Sequence, residues 1–101
     1  MLPSYEVLKS LLHQEFLMTD EAGAGPRQRC QLVAISDRRL AAAFETFSLS
    51  FQGLDFAALT QGLYTFEHST IGACQLFVTP RELGRDKKVV FDAVFNRHVV
   101  P

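Results

Sequence analysis

Apolar and polar residues alternate with a period of two through much of the second half of the chain. Phe47, Leu49 and Phe51 alternate with Ser48, Ser50 and Gln52, which on a strand places the aromatics on one face and the small polar groups on the other. Gly53 ends that strand, and Leu54 to Thr60 reads as a connection whose Phe56 and Leu59 tuck back as plugs. Gln61-Gly62 opens a second strand, Leu63 to His68, with Tyr64, Phe66 and His68 on one face and Leu63, Thr65 and Glu67 on the other. A short turn at Ser69 to Gly72 predicts a hairpin into Ala73 to Thr79. Pro80 is expected to stop the pairing because it has no amide to give, and Arg81 to Lys88 reads as a solvated loop. The last strand, Val89 to Phe95, sets Val89, Phe91, Ala93 and Phe95 against Val90, Asp92, Val94 and Asn96.

The first half carries weaker signals. Ser4 suits an N-cap, and Val7, Leu8, Leu11 and Leu12 fall on one stripe of a short helix from about Tyr5 to Leu12. Phe16 to Met18 is a brief apolar run, and Thr19 to Pro26 reads as a loop or hairpin tip because glycine and proline interrupt pairing. Arg29 to Ile35 has the branched composition of a strand. Leu40 to Phe44 fits either one helical turn or a strand extension, since alanine favours helix while pairing elsewhere can override it.

One short helix and about six strands result, joined by connections too short for parallel crossovers. The fold class is therefore mainly β, bordering on α+β: a six-stranded antiparallel barrel or bent sheet with the helix over one open end. Phe47, Leu49, Phe51, Leu76, Phe91 and Phe95 are the expected core.

Composition narrows the functional classes. At 101 residues the chain reads as a single domain, residues 1–101, with 48% hydrophobic residues to fill a core. Ten Lys and Arg against 11 Asp and Glu leave a formal charge of -1, without the basic field that nucleic acid or an anionic membrane requires. Cys30 and Cys74 are too far apart in sequence for a CxxC pair and read as two free thiols. No export signal or apolar run of about 20 residues occurs, so the expected compartment is cytoplasmic.

The segments Phe47-Ser-Leu-Ser-Phe-Gln-Gly53, Leu59-Thr-Gln-Gly-Leu-Tyr64, Glu67-His68, Ile71-Gly72, Leu76-Phe77-Val78-Thr79-Pro80 and Phe91-Asp-Ala-Val-Phe-Asn96 resemble a family of small bacterial domains of unknown function. Its pattern is FSLxFxG, then LxQGxYxxEHxxLGxxxLFxxP, then YxAxFN. The chain departs at Ile71, where the pattern has Leu, and at Phe91, where it often has Tyr. Members are often encoded near phage-tail-like proteins, so the resemblance implies a small structural or accessory module there. It carries no catalytic residues to transfer. Gly53, Gly62 and Gly72 each fall at a strand end, where positive φ or close backbone approach is expected.

Candidate chemistry centres on His68, Tyr64 and Glu67. Neighbours on a strand face opposite ways, so Glu67 and His68 do not share a proton directly, while Tyr64 and His68 share a face about 13 Å apart. His13, His68, His98, Cys30 and Cys74 show no metal-ligand spacing, and no phosphate cradle or nucleophile elbow is present. No cofactor or metal is expected. Arg27, Arg29, Arg38 and Arg39, with Arg81, Arg85, Lys87 and Lys88, read as solvated surface because interleaved aromatics are missing.

Two functional readings follow. The first is a non-enzymatic module that binds another protein chain or itself, with Val90 and Val94 facing outward from an open edge strand. The second is a small ligand-binding barrel or minor enzyme using His68, Tyr64 and Glu67 in an open mouth.

Overall fold

The computed structural model of the protein describes residues 3–21, 23, 25–84 and 87–98. Helix α1 (Tyr5–Ser10) is followed by strands β1 (Glu15–Asp20), β2 (Gln28–Ile35), β3 (Arg39–Ala41), β4 (Phe44–Gly53), β5 (Gly62–His68), β6 (Gly72–Leu83) and β7 (Val89–His98). All pairings are antiparallel, in the order β2-β1-β5-β6-β7-β4, and β2 pairs with β4 to close a six-stranded barrel. The additional strand is β3. It settles the ambiguous Leu40 to Phe44 segment by pairing with the first residues of β4, on the edge that β2 occupies further along.

Ser4 caps α1 as its sequence suggests, accepting from the Val7 amide at 3.2 Å. The β1–β2 hairpin forms with Glu15 opposite Gln31, and its connection includes residues 22 and 24, which lie outside the described residues. In β4 the alternation holds from Phe44 to Gly53, with Glu45, Phe47, Leu49, Phe51 and Gly53 inward. Gly53 must be glycine for room: a Cβ there would stand 2.8 Å from the Phe56 carbonyl oxygen, so its absence lets Phe56 fold over the barrel end. Gly72 has φ +70°, the left-handed residue that closes the three-residue loop between His68 and its partner Gly72. Gly62 needs neither positive φ nor close approach, contrary to expectation.

Two readings at the β6 end are corrected. Pro80 does not stop the strand, which runs to Leu83 across a bulge between Pro80 and Glu82. β5 ends opposite Val78, so beyond it β6 has a single neighbour, and a residue without an amide is tolerated at a bulge of that kind. The expected loop from Arg81 to Lys88 is correspondingly shorter: Arg81 to Leu83 belong to β6, and the Gly84 amide donates to the Lys88 carbonyl at 2.7 Å. Arg85 lies outside the described residues.

The core runs the length of the barrel. The six residues expected there, Phe47, Leu49, Phe51, Leu76, Phe91 and Phe95, are all buried. Phe51 lies 5.5 Å from Phe16, 4.9 Å from Phe66 and 5.6 Å from Phe91, ring centre to ring centre. Phe56 closes this end, 6.1 Å from Phe91. At the other end Phe47 and Phe95 stack at 4.7 Å, and Tyr5 of α1 meets Phe47 edge-on at 4.9 Å. Leu8 and Leu11 bury beneath the helix.

Candidate functional site

The three polar residues that sequence reasoning singled out lie on β5, and each is occupied by its own local partner. The His68 ring accepts the Thr70 amide proton on Nδ1 at 3.0 Å, which leaves the proton of the neutral ring on Nε2, 2.7 Å from Gln14 Oε1. His68 thus pins the β5–β6 turn to the segment entering β1, and it packs 5.0 Å from Phe16. The turn group it binds is an amide. Tyr64 donates its hydroxyl to the Thr60 carbonyl at 2.7 Å, securing the connection that carries Phe56. Glu67 faces outward, 3.8 Å from Arg27 across exposed surface. The structure does not bring the three together: Glu67 faces away from His68, and Tyr64 bonds to the opposite end of β5. A shallow surface depression of about 340 Å³ lies beside Glu67 and His68, lined by Leu17, Ser69, Gly72 and Ala73.

The two valines expected to face outward from an edge strand part company. Val90 is 9% exposed. It sits opposite both Gln52 and Glu82, and a Cβ on Gly84 would come within 3.3 Å of it, because β6 continues past Pro80 and covers it. Val94 is 68% exposed. The expected open edge is corrected over the first half of β7, which pairs with β4 along one side and with β6 on the other from Val89 to Ala93, while from Val94 to His98 its partner among the described residues is β4. What Val94 offers is the outer face of a barrel wall.

Sequence reasoning missed its neighbours there. Leu63 and Phe77 are cross-strand partners on β5 and β6, both exposed, and the register that sets Val78 against Ala93 places Phe77 beside Val94. Three apolar side chains therefore stand in a row across three adjacent strands. The available signal was the run Leu76-Phe77-Val78, since one member of three consecutive apolar residues on a strand must face away from the core.

A second missed group lies at the α1 end. Glu45 is buried and accepts from Arg97 Nε at 2.6 Å and from Arg38 Nε at 2.8 Å. Arg38 also reaches Glu6 of α1 at 2.8 Å, and Arg97 donates to the Pro3 carbonyl at 2.7 Å. The Arg97 guanidinium lies 5.5 Å from the Phe47 ring centre and 5.4 Å from that of Phe95. These groups fasten the helix to the barrel. Glu45 falls two residues before Phe47 and Arg97 two after Phe95, so both charges sit in the apolar phase of their strands, the signal for a buried pair.

The thiols are poor nucleophiles. Burial pushes both Cys30 and Cys74 up from the usual thiol range, Cys30 further, aided by Asp55 and Glu15 nearby. Both are free, and their strands, β2 and β6, stand on opposite sides of the ring. The arginines read as solvated surface include several held in separate ion pairs, Arg29 with Glu15 and Asp55, Arg81 with Glu82 and Asp92. Among the described residues no group of three His, Cys, Asp or Glu side chains is placed to hold a metal ion, and no helix is long and apolar enough to cross a membrane.

No curated protein and no solved structure matches the chain. A family profile described as a domain of unknown function, DUF6916, matches residues 3–95, and the chain belongs to that family.

Proposed function

We propose that the domain is a non-enzymatic interaction module that binds a protein chain through the outer wall of its barrel, as a structural or accessory part of a phage-tail-like assembly. One observation carries the binding reading: Leu63, Phe77 and Val94 stand exposed in a row, while His68, Tyr64 and Glu67 are each spent on a turn, a carbonyl and an ion pair. Single exposed apolar residues are ordinary, but a contiguous apolar stretch on a small soluble domain marks a contact surface. The family resemblance supplies the setting.

The test is Val94→Lys. Val94 is exposed, so the variant should fold with a nearly unchanged melting temperature and lose capture of its partner chain in a pull-down. Capture that persists at wild-type strength would count against this wall. His68→Ala should loosen the β5–β6 turn, and loss of a measurable catalytic activity in that variant would favour the enzyme reading instead.

A further inference from the structure

The outer wall holds a ridge and a groove side by side. Phe77, 52% exposed, is the ridge, backed by its partner Leu63 on β5. One strand beyond Val94 lies a groove of about 480 Å³, floored by Thr46 and Ser48 of β4, bounded by Val94, and walled by Ser36, Asp37 and Arg39 where the chain passes from β2 to β3. Neighbouring strands are about 4.8 Å apart, so the ridge and the groove floor lie about 5 Å to either side of a common midline near Val94.

We propose that this wall binds a second copy of the chain about a two-fold axis through Val94, each Phe77 entering the groove of the other copy. The inference rests on the interaction reading above and names its partner. A two-fold contact needs residue i to meet j while j meets i, and ridge, midline and groove in one row supply both halves. At about 480 Å³ the groove exceeds the volume of an aromatic ring.

Charge points the same way. Arg27, Arg29, Arg38, Arg81 and Arg97 each have a carboxylate partner, whereas among the described residues Arg39 and Asp37 have none. They stand on the same groove wall with opposite signs, so the groove is neutral. On its own strand the ridge is flanked by Gln75 and Thr79, which carry no charge. A partner recognised by charge needs a wall of one sign, while a neutral wall meets its own copy without repulsion. From β5 to β3 the contact spans four strand spacings, about 19 Å. A patch of that width buries less area than stable interfaces do, which suits a reversible dimer.

Sedimentation and light scattering of the full chain, from about 1 μM to about 1 mM, test this. The mass should rise with concentration from 11.3 kDa to twice that value. Phe77→Ser and Val94→Lys should each weaken dimerisation at least about 30-fold with the thermal melt retained, and Leu83→Ser, exposed on the far end of β6, should leave it unchanged. Val94→Cys should form an interchain disulfide under mild oxidation, because a residue on the axis meets itself. A chain that stays monomeric throughout, or a dimer indifferent to both Phe77→Ser and Val94→Lys, overturns the proposal. A monomer that still captures another chain in a Val94-dependent way overturns the second copy and leaves the interaction reading standing. A monomer that captures nothing removes both.

Discussion

Burial decides what single residues do in this barrel, and Cys30 is the clearest case. It is fully buried, its thiol 3.7 Å from the Phe16 carbonyl oxygen, and burial holds its pKa above the ordinary 9.0. The folded state therefore keeps a proton that the unfolded chain releases once pH passes about 9. Below that pH both states hold it and stability is unaffected. Above it the unfolded state binds fewer protons, so unfolding free energy should fall with pH, by at most about 1.4 kcal/mol per unit from this thiol. Urea unfolding at pH 8 and pH 10 checks this. Cys30→Ala should lose stability at both values yet show a shallower decline between them, and equal declines would show that the thiol is not held protonated. That residue was legible as a small buried hydrophobe from its place in an apolar strand. Val90 was not, because alternation along β7 points it outward and only the continuation of β6 past Pro80, a contact between distant parts of the sheet, covers it.

At the scale of elements, the local signals that agreed with one another were the ones that read correctly. β4, β5 and β7 carry period-two alternation bounded by turn residues; the faces of β4 follow it throughout, those of β7 follow it from Phe91 onward, and Phe66 is the buried member of β5. The β3–β4 hairpin hid because its sequence, Arg39-Leu-Ala-Ala-Ala-Phe44, favours helix locally, whereas pairing of Arg39 with Thr46 and Ala41 with Phe44 makes it a strand and a two-residue turn. The turn forces Ala42 to φ +54°, a left-handed conformation that costs an L-residue with a Cβ about 1 kcal/mol. Ala42→Gly removes that cost and adds some entropy to the unfolded chain. The net effect should be a gain of up to about 0.5 kcal/mol, or a few degrees in melting temperature for a domain of this size. Calorimetry on the two proteins measures it, and a variant that melts lower would mean the turn gains nothing from glycine. The candidate site divides along the same line. Val94 was visible in the alternation, while the placement of Phe77 on one side of it and the groove on the other depends on which strand neighbours which, and that order is set by closure of the ring.

For the whole molecule, closure makes one residue's neighbours come from many strands, so position around the ring ranks the cost of losing a side chain. Sequence pattern treats Phe51 and Phe95 alike, as inward aromatics on long strands. In the barrel Phe51 touches Phe16 of β1, Phe66 of β5 and Phe91 of β7, so truncating it leaves a void bordered by four strands. Phe95 stacks on Phe47 and lies beneath the Arg97 guanidinium, at the end covered by a helix of six residues that can settle inward. The cavity left by a large-to-small change grows costlier the less its surroundings collapse. Phe51→Ala should therefore cost about 4–5 kcal/mol and Phe95→Ala nearer 3 kcal/mol, against a total of about 5–15 kcal/mol for a domain of this kind. Phe95→Ala should still unfold in one cooperative urea transition at a lowered midpoint, while Phe51→Ala should be partly unfolded before urea is added. Equal midpoints for the two variants would mean that the barrel interior relaxes as readily at its Phe56-closed end as at its helix-covered end.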